Sequence, residues 1–174
     1  MAQPRAVAAA EATVGLGRGA FYEARVGQFL RVQADGERLP FAQEGIAPRG
    51  WAIECRITSE DPANGFLPST GPIQYLRLPG GPGVRWDGGI DIGDEVTLHY
   101  DSLLGKLLVW APDRAQAITR MRRALDELAI VGVATNQGFP RRLLADPDFQ
   151  AGEIDIQFLD RRTDLAQPAL SEDE

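Results

Sequence analysis

Residues 51–62, W-A-I-E-C-R-I-T-S-E-D-P, decide the fold. They alternate: Ala52, Glu54 and Arg56 point one way and Ile53, Cys55 and Ile57 the other, which is the period of a half-buried strand. Glu60-Asp61-Pro62 and Asn64-Gly65 then turn the chain. Short strand-like runs follow at 73–77, 84–86, 95–100 and 106–110, with Gly or Pro between them. Spacing this short and regular predicts an antiparallel sheet rather than alternating strands and helices.

Downstream the period changes to that of a helix, over residues 112–131. Pro112 stands near its first position and Asp113 in its first turn, where the backbone dipole favours an acid. Ile118, Met121, Leu125 and Leu128 form an apolar stripe widened by Ala115 and Ala124, Arg120, Arg122 and Arg123 lie on the remaining surface, and Gly132 closes the run. A second helix is expected over 139–145 with Asn136 as a cap, ended by Asp146-Pro147. Phe149 and the apolar positions of 154–159 return to the core. Upstream, residues 1–20 are small and Gly-rich. Residues 22–34 read as an amphipathic helix through Tyr22, Val26, Phe29 and Leu30, with Gly36 as terminator and 39–50 as connector. Residues 163–174 are polar and acidic and are expected to be disordered. The fold class is α+β: a mainly antiparallel, curved sheet over 51–110 packed against two or more helices within 111–150.

The chain has 174 residues, 44% of them apolar and 25% charged, as in a soluble globular domain with loose ends. A formal net charge of −7 disfavours nucleic acid, whose binding depends on neutralising phosphates, and disfavours anionic membrane surfaces. No apolar run is long enough to span a bilayer, and the first residues lack the apolar centre of a secretory signal, so a cytoplasmic location is expected. Cys55, the single cysteine, reads as a small buried apolar residue.

Each polar candidate has a plain reading. Gly15, Gly17 and Gly19 follow no strand and precede no lysine at the offset of a phosphate loop, so they read as a flexible entry. His99 is the single histidine. Neither a metal set nor a Ser-His-Asp arrangement has support in the spacing around it, and packing or hydrogen bonding on a strand is its default. Glu60, Asp61, Asp87, Asp91 and Asp94 offer carboxylate pairs, but in turn-rich segments where acids form turns. Arg85 follows Gly80-Gly81-Pro82-Gly83 and sits between Val84 and Trp86. It reads either as a surface arginine on a strand or as a forked donor brought to an oxyanion by a glycine-lined bend.

Taken in order, several motifs resemble the C-terminal domain of biotin carboxylase. They are E-R-L-P-F-A-Q-E (37–44), A-I-E-C-R-I, E-D-P, F-L-P-S-T-G (66–71), G-V-R-W (83–86), Y-D-S-L-L-G-K-L (100–107), A-P-D-R-A-Q-A-I-T-R-M-R-R-A-L (111–125), Thr135-Asn136 and L-L-A-D-P-D-F (143–149). The resemblance runs over about 39–161, with Trp51 where the family usually has histidine. It implies three parts to the chain: a remnant or linker with one helix over 1–50, a biotin carboxylase C-terminal domain over 51–162, and a tail.

In that family an ATP-grasp module uses ATP, magnesium and bicarbonate to make carboxyphosphate, and the released CO2 is captured by biotin on a biotin carboxyl carrier protein. The arginine matching Arg85 is held to contact biotin and stabilise its enolate. The region of Arg114 resembles the surface through which such carboxylases dimerise, which implies a possible homodimer. The family's M-N-x-R-x-Q-V-E-H segment and its glycine-rich ATP lid have no counterpart here. The resemblance therefore implies the C-terminal portion of a biotin carboxylase, dependent on an ATP-grasp portion and inactive alone. The alternatives are a noncatalytic dimerisation or carrier-docking module, and a gene fragment with no role.

Overall fold

Burial follows the alternation of the first stretch: Ile53, Cys55 and Ile57 are buried, while Ala52, Glu54 and Arg56 are half-buried. The computed structural model describes residues 49–167 and, before them, the backbone of 21–25. In chain order the strands are β1 (Phe21–Arg25), β2 (Trp51–Thr58), β3 (Glu60–Asp61), β4 (Leu67–Pro68), β5 (Gly71–Pro72), β6 (Tyr75–Arg77), β7 (Val84–Gly88), β8 (Glu95–Val96), β9 (Leu103–Ala111) and β10 (Ala129–Val131). The helices are α1 (Arg114–Glu127), α2 (Gly138–Ala145), α3 (Pro147–Ala151) and α4 (Phe158–Arg161).

The main sheet runs β1-β2-β9-β7, with every neighbouring pair antiparallel. Between β2 and β9 the chain makes an excursion that contains the ladders β3–β4 and β5–β8. A third ladder joins β6 to β10, which arrives from beyond α1. The architecture is the expected α+β one.

One face of the sheet is covered. Ile53, Cys55 and Ile57 of β2 and Leu107, Val109 and Ala111 of β9 meet Ala117, Ile118, Met121, Ala124 and Leu125 of α1 in one core. Burying each large side chain here stabilises the fold by about 1.5–3 kcal/mol. Ala117 widens the stripe of α1; Ala115 is exposed. Asp113 is the N-cap and accepts from the Gln116 amide at 2.8 Å, one step earlier than its expected place in the first turn. Burial pushes the Cys55 thiol well above its ordinary pKa, with Glu54 adding to the effect, so Cys55 is the inert apolar residue expected.

Asp146 joins two helices. Its amide donates to the Leu143 carbonyl at the end of α2, and its Oδ1 accepts from the Asp148 and Phe149 amides at the start of α3. Its Oδ2 also meets the Arg162 guanidinium. Burial alone would raise this carboxyl, but the Phe149 amide, Arg162 and the Asp148 amide together hold it below the ordinary value. A carboxylate depressed in this way contributes stability that is present above the unfolded value, about pH 4, and lost as pH falls through the folded value. Asp146→Asn is therefore expected to be less stable than the parent at neutral pH and to show a shallower acid limb in urea unfolding. Superimposed stability–pH curves would remove Asp146 from this role.

Several expectations are corrected. Residues 21–25 form a strand, so the helix expected over 22–34 does not begin there; pairing with Trp51–Cys55 outweighs the local period, and 26–34 lie outside the described residues. The strand expected over 95–100 stops at Val96, and His99 is an exposed turn residue rather than a packed strand residue. Helix α1 ends at Glu127, and Gly132 follows β10 instead of closing the helix. Asn136 caps no helix; α2 has Gln137 at its N-cap position. The tail expected to be disordered is ordered at its start: Thr163–Ala166 forms a 3-10 turn with Leu165 buried. The buried Leu165 side chain, together with the Arg142 guanidinium donating to the Leu165 and Ala166 carbonyls, accounts for that order. Residues 168–174 lie outside the described residues.

Candidate functional site

Strand β7, V-R-W-D-G, alternates like β2. Val84 and Trp86 turn to the core, and Arg85 and Asp87 turn outward. The Trp86 ring lies across Gly88 and Gly105, which are register partners, and a Cβ on either would collide with it. With Trp86 held inward by that fit, the opposite face of β7 is fixed as well.

The bend before β7 is held by Gly83, at φ +73°. Its carbonyl accepts from the Trp110 amide at 2.9 Å, and a side chain there would run into the Trp110 carbonyl oxygen, 2.6 Å away. Glycine therefore lets the start of β7 close against the end of β9.

Arg85 and Asp87 meet as a fork. Nε donates to Oδ1 at 2.7 Å and Nη2 to Oδ2 at 2.8 Å. The hydrogen bonds and charge of Asp87 raise the arginine pKa further, and the hydrogen bonds from Arg85 lower that of Asp87, helped by Lys106. The Arg85 side chain is 72% exposed, so this pair adds little to stability. What it does is fix the plane of the guanidinium while leaving Nη1 without a partner among the described residues.

The same outward face continues across the sheet. Asp87 is in register with Lys106 and Arg85 with Leu108. Beyond them lie Arg56, Glu54 and, next to Trp110, Ala52. This is a mixed charged and apolar surface on the side away from α1. An oriented cation with free donors on such a surface can hold a planar oxyanion.

The other candidates fall elsewhere. Arg114 is half-buried in the first turn of α1 and donates from Nη1 to the Gln150 carbonyl at 2.6 Å and from Nη2 to the Phe149 carbonyl at 2.5 Å. Its guanidinium also lies 5.1 Å from the Phe149 ring centroid. Arg114 thus fastens α1 to α3 and does not converge with Arg85 on one site. Glu60 accepts from Ser102 at 2.6 Å and Thr58 at 3.1 Å, Asp61 caps the 3-10 turn Pro62–Asn64, and Asp91 and Asp94 each accept from a backbone amide of their own turn. These four acids do the structural work expected of them. Asp87 does not: it is the ion-pair partner of Arg85 on the same face of β7, and the R-x-D spacing on one strand face is its signal in the sequence. Among the described residues no cluster of His, Cys, Asp and Glu could hold a metal ion, and no helix is long and apolar enough to cross a membrane.

Comparison with known proteins gives a consistent result. The family described as "Biotin carboxylase C-terminal domain" matches residues 54–161. Biotin carboxylase of Nostoc sp. is 48% identical over 126 residues, covering 72% of this chain and 28% of that protein. Biotin carboxylase of Pseudomonas aeruginosa is 42% identical over 137 residues, 79% of this chain and 30% of that one. Among solved structures, the biotin carboxylase domain dimer of Hydrogenobacter thermophilus 2-oxoglutarate carboxylase, in complex with MgADP, ADP and bicarbonate, superposes with a TM-score of 0.73. It is 41% identical, over 78% of this chain and 30% of that one. The chain thus spans less than a third of the length of these relatives.

Proposed function

This chain belongs to the biotin carboxylase C-terminal domain family, and on that premise we propose that it supplies the biotin-facing arginine of a biotin-dependent carboxylase. The observation that carries this reading is the oriented guanidinium of Arg85, exposed on the sheet face away from α1 with Nη1 unpartnered among the described residues. Biotin on a carrier protein brings a ureido ring whose oxygen gains negative charge when N1 gives up its proton. Arg85 fits that oxygen: it is permanently charged, Asp87 and the Gly83 bend set its direction before the ligand arrives, and its remaining donors face outward. In this reading ATP, magnesium and bicarbonate are handled by an ATP-grasp portion, supplied in trans or by the rest of a longer protein. The partner that brings biotin is a biotin carboxyl carrier protein.

The test combines the chain with an ATP-grasp portion and biotinylated carrier and follows biotin-dependent ATP cleavage. Arg85→Ala is expected to lower turnover about a hundredfold, the scale of removing one oxyanion donor, with the unfolding midpoint unchanged. Full turnover by the variant overturns the role.

A second reading, a homodimerisation or carrier-docking module, has one observation in its favour: the Hydrogenobacter thermophilus domain is a dimer. Here Arg114 shapes the contact surface through its hold on α3. Sedimentation velocity is expected to show a dimer that Arg114→Ala weakens; a parent chain that stays monomeric at every concentration ends this reading.

A further inference from the structure

The helical layer has a concave site of its own. Arg122 and Asp126 stand one turn apart on α1, and Gly138, Arg141, Arg142 and Ala145 recur at i, i+3, i+4 and i+7 on α2. The two helix faces line a cleft of about 270 Å3. Three guanidiniums there face one carboxylate, although the whole chain carries a net charge of −7.

The cleft is short of negative charge. Asp126 is committed to Arg141, with Oδ1 2.5 Å from Nη2. Arg142 donates from Nε and Nη2 to the Leu165 and Ala166 carbonyls at 2.6 and 3.2 Å, while its Nη1 lies beside Gly138. Among the described residues no carboxylate pairs with Arg142, and burial together with the Arg141 charge lowers its pKa. Arg122 has no ion pair among the described residues. Helix α2 opens at Gly138 with no acid in its first turn and no side-chain cap from Gln137, so the positive end of its dipole adds to the same field.

We propose that the α1–α2 cleft binds a phosphate-class oxyanion. Forked guanidiniums match phosphate oxygens in pairs. The volume is at the lower limit of a drug-sized ligand pocket and suits one or two phosphate groups, free or at the end of a larger molecule. Gly138 and Ala145 leave the cleft wall low, so a tethered phosphate can enter.

Calorimetric titration of the full chain at low ionic strength tests this, with pyrophosphate, inorganic phosphate, ADP, and sodium chloride at matched ionic strength. Pyrophosphate is expected to bind where chloride does not. The double variant Arg122→Ala, Arg141→Ala should raise the dissociation constant about tenfold or more. Asp126→Asn should lower it, because Arg141 is released; a merely structural role for these residues would not produce opposite signs. Tighter binding of ADP than of pyrophosphate assigns the phosphate to a larger ligand, and equal or weaker binding assigns it to the free anion. Equal heats from chloride and pyrophosphate overturn the proposal, as does unchanged affinity in the double variant with the parent's circular dichroism, or weaker binding by Asp126→Asn.

Discussion

Gly132→Ala is expected to cost roughly 3–5 kcal/mol of folding stability, combining left-handed backbone strain with overpacking. Gly132 sits at φ +120°, where an L side chain is strained. A Cβ there would also overlap the Pro72 carbonyl oxygen and come within 3.1 Å of the Gln74 amide. Both obstacles are main chain, held by the Gln74 amide donating to the Val131 carbonyl at 2.8 Å and by the β6–β10 ladder. Neither can swing aside as a flexible side chain would. The measurement is urea unfolding followed by tryptophan fluorescence. A variant within about 1 kcal/mol of the parent would mean that the two backbones do not approach this closely.

Asn136→Ala is expected to cost about 2–4 kcal/mol. Asn136 is 1% exposed. Its Oδ1 accepts from the Thr58 amide at 3.1 Å, its Nδ2 donates to the Arg56 carbonyl at 3.0 Å, and its own amide donates to the Thr58 carbonyl at 3.1 Å. The described β1 ladder ends at Cys55, short of Arg56 and Thr58, so the sheet alone does not serve these groups. Alanine leaves a buried donor and a buried acceptor unmatched. Hydrogen exchange should show the Thr58 amide losing protection before the centre of β2; unaltered protection would contradict this assignment.

These two residues also mark the limit of what the sequence reveals. β2 and α1 are legible because their information is periodic and local: alternation through Ile53, Cys55 and Ile57, and the i, i+3, i+4 stripe through Ile118, Met121 and Leu125. Gly132 and Asn136 read as a helix terminator and a helix cap because those are the commonest local uses of their residue types. Their actual partners lie far off, Asn136 being 78 and 80 positions from Thr58 and Arg56. Strand β1 is hidden for the same reason, since only the distant backbone of β2 makes it a strand. At the candidate site the glycine bend and Arg85 stand out. Asp87 reads as a turn-forming acid because the strand pattern stops at Trp86, two residues before the strand itself ends.

The latch that Arg142 makes with the Leu165 and Ala166 carbonyls sets where the chain can be trimmed. Cutting after 162, where the polar stretch begins, removes the buried Leu165 and both acceptors together, exposing apolar surface under α2 and freeing a guanidinium beside Gly138. Cutting after 167 spares all of them, so a shortened expression clone ending there should stay soluble and one ending at 162 should precipitate.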